Sequence, residues 1–199
     1  MTRKTNTNDC DHLSNAVEPK SSKILVTTSI GEFTIITANN APITSSYFID
    51  LAVKGDLNNG KIFRITTLTN QNIDSFKKNE GINPSHPIEV IQVGTQSDLN
   101  EPLHKIDHES TNETQLRHKR WTVSAARFAP GEVYKSFFIC MRDEPCLDAG
   151  GGRNPDGEGF AAFGHIINGF DVVENIFNKS ENNEILKKPI HIHSFKEMH

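Results

Sequence analysis

A chain of 199 residues with 21 basic and 25 acidic side chains carries a formal net charge of −4, too acidic for generic binding to a phosphate backbone, which requires basic surface. Its three cysteines, Cys10, Cys140 and Cys146, fall in no metal-ligand or dithiol spacing and fit a reducing compartment. No stretch approaches the ~20 apolar residues of a membrane span and residues 1–23 lack the apolar core of a secretory signal, so a soluble, cytoplasmic protein with no nucleic-acid or membrane partner is expected.

Residues 1–22 are rich in Thr, Asn, Ser, Asp and Lys with little to bury, and read as a disordered tail. A domain over 23–199 follows. Ile24–Ser29 and Glu32–Thr37 flank Ile30-Gly31 as a β-hairpin. Pro42 suits the first turn of a helix, after which Ile43, Tyr47, Phe48 and Leu51 recur at helical spacing up to a stop at Gly55. Lys61–Thr66 reads as the next strand. From Thr67 to Pro87 the chain turns polar, a long insertion, before Ile88–Val93 resumes as a strand. Gly94–Gln115 reads as loop, and Arg117-His-Lys-Arg120 as a solvated strand entry. Trp121–Arg127 and Ser136–Cys140 are further strands, joined by Leu147-Asp148 and a glycine-rich run to Phe160–Gly164. Asp171–Phe177 has the pattern of a short amphipathic helix, and Pro189–Phe195 of a last strand.

The stretch from Trp121 to Gly164 organises the rest. Successive strand residues point to opposite faces, so Phe137 and Phe138 cannot share one environment. In a barrel, one ring fills the interior and the other lines a surface groove.

Thr122-Val-Ser-Ala-Ala-Arg127, Ser136-Phe-Phe-Ile139, Leu147-Asp148 and Phe163-Gly164, in this order and spacing, resemble the cyclophilin family of peptidyl-prolyl isomerases. Gly151–Gly157 followed by Gly159–Gly164 is similar to a bacterial branch of it. The resemblance runs from Ile24 to about Phe195. It implies a mainly β fold: a closed eight-stranded antiparallel barrel capped by two α-helices. It also implies a cofactor-free enzyme acting on proline-containing polypeptides.

The resemblance further assigns roles. Arg64, in Ile62-Phe63-Arg64-Ile65, lies where the family carries its catalytic arginine, and Gln92 where it carries its groove glutamine. Alone, a strand arginine between apolar residues is more often a rim pair and a strand glutamine a surface residue. Phe138 becomes the floor of a proline pocket walled by Val90 and Leu147, with Ala126 and Arg127 offering strand edge to a peptide. Ser136 and Phe160 line the groove in place of a glutamine and a histidine. Cys146 stands where better-known members have tryptophan, which should weaken cyclosporin-type binding. Glu89 occupies the position of a pocket phenylalanine, so that wall could come from Phe76 in the insertion. A rival expectation is a binding module of the same fold with little turnover.

Gly150–Gly159 lacks the Lys-Ser/Thr of a phosphate loop. His191 and His193 share a strand face, where a half-buried pair is the simpler reading than a metal site. His104, His108, Glu109 and His118 match no zinc spacing.

Overall fold

The computed structural model describes residues 21–71, 86–95 and 104–198. The expected tail (1–20) and the middle of the insertion (72–85), including Phe76, lie outside the described residues.

Strands β1 (Lys23–Thr28) and β2 (Gly31–Thr37) form the opening hairpin, followed by helix α1 (Pro42–Lys54) and β3 (Lys61–Thr66). Then come β4 (Val90–Gly94), the two-residue β5 (His104–Lys105), a single turn α2 (Thr111–Thr114), β6 (Thr122–Arg127) and β7 (Glu132–Cys140). A 3₁₀ turn (Pro145–Leu147) leads to β8 (Ala162–Asn168), α3 (Phe170–Phe177) and the long β9 (Ile185–Met198).

The strands run antiparallel in the order β4-β3-β9-β1-β2-β8-β6-β7, and β7 pairs back onto β4. That last pairing closes eight strands into a barrel and removes every long open edge; β5 hangs on β7 outside the ring.

Alternation fills the barrel. Ile24, Val26, Phe33, Ile35, Ile62, Ile65, Ile91, Val93, Phe137, Ile139 and Phe163 turn inward and are fully or almost fully buried in one cluster. Helix α1 drives Phe48 into it, with its ring stacked on Phe163 at 4.0 Å and edge-on to Phe137 at 5.8 Å. Val173 and Ile176 of α3 join the same core. Phe137 is therefore the interior ring and Phe138 the outer one, on opposite sides as alternation requires. Helix α1 ends on Gly55 at φ 70°, a left-handed conformation that costs glycine nothing.

Three stretches depart from expectation for identifiable reasons. Within the expected loop 94–115, Ser110 and Glu113 form a capping box that nucleates α2. Ahead of it, the buried carboxylate of Glu109 accepts from the N–H groups of Ile43 (2.9 Å) and Thr44 (2.7 Å). That caps the start of α1, where Ala41 has no side chain to do so. His118, inside the expected solvated run, is fully buried, and His191 and His193 are exposed rather than half-buried. No helix among the described residues is long and apolar enough to cross a membrane.

Candidate active site

A second apolar cluster lies outside the barrel wall: Ile88, Val90, Ala126, Phe138, Cys140 and Leu147, flanked by half-buried Tyr134, Cys146 and Phe160. It arises because β4, β6 and β7 are apolar on both faces. Their inward residues fill the barrel, and the outward ones need a second covering. The expected pocket residues Phe138, Val90, Leu147, Ala126 and Phe160 are thus brought together. Phe160 meets Phe138 edge-on at 5.2 Å. Leu147 has no exposed surface, so it backs the floor instead of forming a wall that a ligand touches.

Arg64 and Gln92 are direct cross-strand partners, and Gln92 in turn faces Phe138 across β4 and β7. Arg64 Nη1 donates to Gln92 Oε1 at 3.2 Å, and Nη2 donates to Glu184 Oε2 at 2.7 Å. The arginine side chain stays 22% exposed, so it can still reach a ligand.

The other end of Gln92 is equally engaged. Its Nε2 donates to Tyr134 Oη (3.0 Å) and to Ser136 Oγ (3.3 Å), and the Ser136 hydroxyl spends its own proton on the Val93 carbonyl at 2.8 Å. A serine that donates to a carbonyl can only accept from Gln92, so the amide is locked with its oxygen toward Arg64. Gln92 is thereby set to brace the arginine, and holding a peptide backbone would require giving up Tyr134. Ser136 is fully buried, so it meets no ligand directly, contrary to the expectation that it lines the groove. Its hydroxyl acts through Gln92. Gly94 allows this approach: a Cβ there would stand 2.7 Å from that of Ser136.

Arg127 does not point into the groove. Its Nε donates to the Gly159 carbonyl at 2.7 Å, its guanidinium grips Asp156 through two bonds of 2.9 and 3.0 Å, and it lies over the Phe160 ring at 5.1 Å. It pins the 156–160 loop beside the pocket, leaving only backbone for a peptide. At that point β6 is irregular: pairing with β8 ends at Ser124, and Ala126 is skipped between Ala125 and Arg127 in the ladder with β7. Such a bulge is a common way to present strand edge at a site.

Two features went unread in the sequence. Tyr134 reaches the groove from β7, with its hydroxyl pushed above the usual phenol range mainly by burial. Beneath Phe138, the His118 ring stacks at 6.0 Å. His118 Nδ1 bonds Asp148 Oδ1 at 2.8 Å, and Nε2 pairs with Ser124 Oγ at 2.9 Å. Burial holds the imidazole below its ordinary value, outweighing the pull of Asp148. Burial opposes ionisation of Asp148 too, yet the hydrogen bonds from His118 prevail and hold its carboxyl low. The Cys146 thiol is pushed up to about 11 by burial and then by Glu144, so it is no nucleophile near neutrality. No group of three metal-ligating side chains gathers among the described residues.

Residues 23–197 match the family model described as cyclophilin type peptidyl-prolyl cis-trans isomerase/CLD. Among solved structures, the chain is similar to a cyclophilin type peptidyl-prolyl cis-trans isomerase of Cryptosporidium parvum, with a TM-score of 0.64 and 17% identity over 90% of this chain and 99% of that one. A second structure of that protein, in the presence of the dipeptide Ala-Pro, gives a TM-score of 0.63 and 17% identity over 89% and 99%. At this identity the structural likeness carries the fold alone.

Proposed function

The chain belongs to the family of cyclophilin-type peptidyl-prolyl cis–trans isomerases, the premise from which we propose that Arg64, braced by Gln92 above the Phe138 cluster, is the group that accelerates rotation about its X–Pro bonds. The uncatalysed rotation is opposed by amide resonance, a barrier of ~18–20 kcal/mol, and takes tens of seconds or more. No bond breaks, so neither nucleophile nor acid–base pair is required. Only groups that favour the twisted amide over the planar one help. As the amide twists, the prolyl nitrogen becomes pyramidal and regains a lone pair. A fixed guanidinium with N–H donors beside it stabilises that lone pair.

The supporting observation is the 3.2 Å bond from Arg64 to Gln92 on the same outward face as Phe138. Only β4 lies between the cation and Phe138, so a prolyl ring on the apolar socket can bring its amide toward the guanidinium. Phe138 and Phe160 would grip the ring with the buried Val90 behind them, while the Ala126–Arg127 backbone takes the neighbouring residues as an added strand. The dipeptide present with the Cryptosporidium neighbour is in keeping with a proline-containing ligand. With cysteine at 146 in place of an indole, cyclosporin-type ligands should bind weakly. The free thiols Cys140 and Cys146 suit a reducing, cytoplasmic setting.

The test is isomerase turnover of an X-Pro peptide followed by NMR exchange. Arg64→Ala is expected to lower kcat/KM by about 100- to 1000-fold, the range for losing one preorganised donor, with peptide binding retained. Turnover equal to the parent's would remove Arg64 from the chemistry.

A further inference from the structure

Arg64, the cation proposed to do the chemistry, carries the Glu184 carboxylate on its second nitrogen, and the local backbone is built to put it there. Along β3 and β9 the register runs Lys61↔His191 and Ile62↔Ile190, then jumps to Arg64↔Ile185. Two steps on β3 thus span five on β9, and Lys187-Lys188-Pro189 fall within the irregularity. Such bulges re-aim a strand, and Pro189 has no N–H to give to a ladder. The returned segment is then fastened. Ile65 N–H donates to the Glu184 carbonyl at 2.8 Å. The buried Asn70 amide bridges the Ile65 and Glu181 carbonyls at 2.9 and 3.0 Å, and Lys187 N–H donates to the Glu181 carboxylate at 3.2 Å.

The result is Glu184 Oε2 at 2.7 Å from Arg64 Nη2, while Gln92 holds Nη1. Acceptors on two different nitrogens fix both the position and the plane of a guanidinium, since its N–H groups lie in one rigid fork. A partly exposed ion pair contributes little to stability, so fastening this turn gains more through the arginine's geometry than through folding energy. Arg153 adds a reason. Its own pKa is held down to about 10, first by burial and next by the charge of Arg64, while Cys146, Glu144 and, last, Glu184 act in the opposite sense, so the carboxylate that holds Arg64 also offsets part of the repulsion between the two guanidiniums.

We infer that Glu184 is a positioning residue for the isomerase reaction, presetting Arg64 by accepting its Nη2 hydrogen bond so that the guanidinium meets the twisting amide without reorganising. The inference rests on the reading of Arg64 given above.

The experiment measures kcat and KM on an X-Pro peptide for Glu184→Ala, Glu184→Gln, Arg64→Ala and the double variant, with thermal melts of each. Glu184→Ala is expected to lose about 10- to 100-fold in kcat with KM within about twofold, the cost of a catalytic group left free to wander. Glu184→Gln keeps an acceptor in place and should recover to within about threefold of the parent. In the Arg64→Ala background, Glu184→Ala should cost nothing further, because the two act as a unit. Unchanged kcat in Glu184→Ala, a glutamine variant no better than the alanine one, or an undiminished loss in the double variant would each overturn the inference. If Arg64→Ala alone has no effect, the reading of Arg64 fails instead, and the two failures are told apart within one series.

Discussion

Ser136→Ala separates a groove residue from one that works through a neighbour. The wild-type hydroxyl lies wholly inside the protein, donating to Val93 and accepting from Gln92 Nε2 at 3.3 Å. Its loss removes one of two acceptors for the Gln92 amide and one donor to a buried carbonyl. A neutral buried hydrogen bond contributes about 1 kcal/mol net, so stability should fall by about 1–2 kcal/mol. The Gln92 flip that wild type resists also becomes easier. When the amide turns over, its nitrogen faces Arg64 Nη1, donor against donor, and its oxygen faces Tyr134, whose hydroxyl can donate. In wild type the flipped oxygen would also confront a serine lone pair; in the variant that penalty is gone.

Removing about 1 kcal/mol of bias toward the productive orientation predicts a fall of about fivefold in kcat. KM should stay within about twofold, because no atom of residue 136 reaches the ligand. NMR exchange at saturating and subsaturating peptide gives the two parameters separately, and a urea titration gives the stability. A tenfold rise in KM at unchanged kcat would refute the reasoning and return Ser136 to the groove surface. A serine variant with wild-type kcat would show that Tyr134 alone orients the amide.

Two further outcomes follow from buried polar groups away from the arginine. His118 is held neutral by burial, so between its depressed folded value and the ~6.5 of an unfolded histidine the unfolded chain binds more protons. Stability must therefore fall as pH drops below about 6.5. A urea midpoint that stays flat from pH 7.5 to 5.5, or a slope unaltered in His118→Asn, would contradict this. Glu109→Ala strips the cap from α1 and should cost about 1–2 kcal/mol with kcat unchanged, read by thermal melts beside the turnover assay.

What the chain makes legible depends on whether the signal is local. The Arg64 strand is found at Lys61–Thr66 because Ile62, Phe63, Ile65 and Thr66 all favour extended backbone, and Pro42 and Gly55 mark both ends of α1. Tyr134 lacks a signal because the apolar run begins only after Ser136, whereas β7 starts at Glu132. The same two-residue period that separates Phe137 from Phe138 would have placed Tyr134 and Ser136 on the groove face. The Ser110-x-x-Glu113 box was likewise present as a local pattern. Glu109, Glu184 and His118 had no such signature. Glu109 caps a helix 66 residues away, Glu184 reaches Arg64 across 120 residues, and His118 hides one buried ring in a run of cations. Their roles exist only after the barrel has closed.

Closure also explains why the site is one object. Arg64 faces Gln92, Gln92 faces Phe138, and Phe138 faces Ser124, a single rank across β3, β4, β7 and β6. Two of those ladders, β3–β4 and β6–β7, could form in an open sheet, but β4 meets β7 only because the sheet has curled through the other strands to bring its two ends together. A slip of one residue at that seam would send Gln92 into the barrel and turn Ile91 or Val93 outward, since alternate residues occupy opposite faces. The aromatic residues on either side of the seam oppose the slip: Phe137 is locked against Phe48, Phe163 and Phe195 inside, while Phe138 is covered by Phe160 outside. The pressure to bury Phe137 therefore sets the register that stands Arg64 beside its glutamine. Catalytic alignment and core packing are two readings of the same strand pairing.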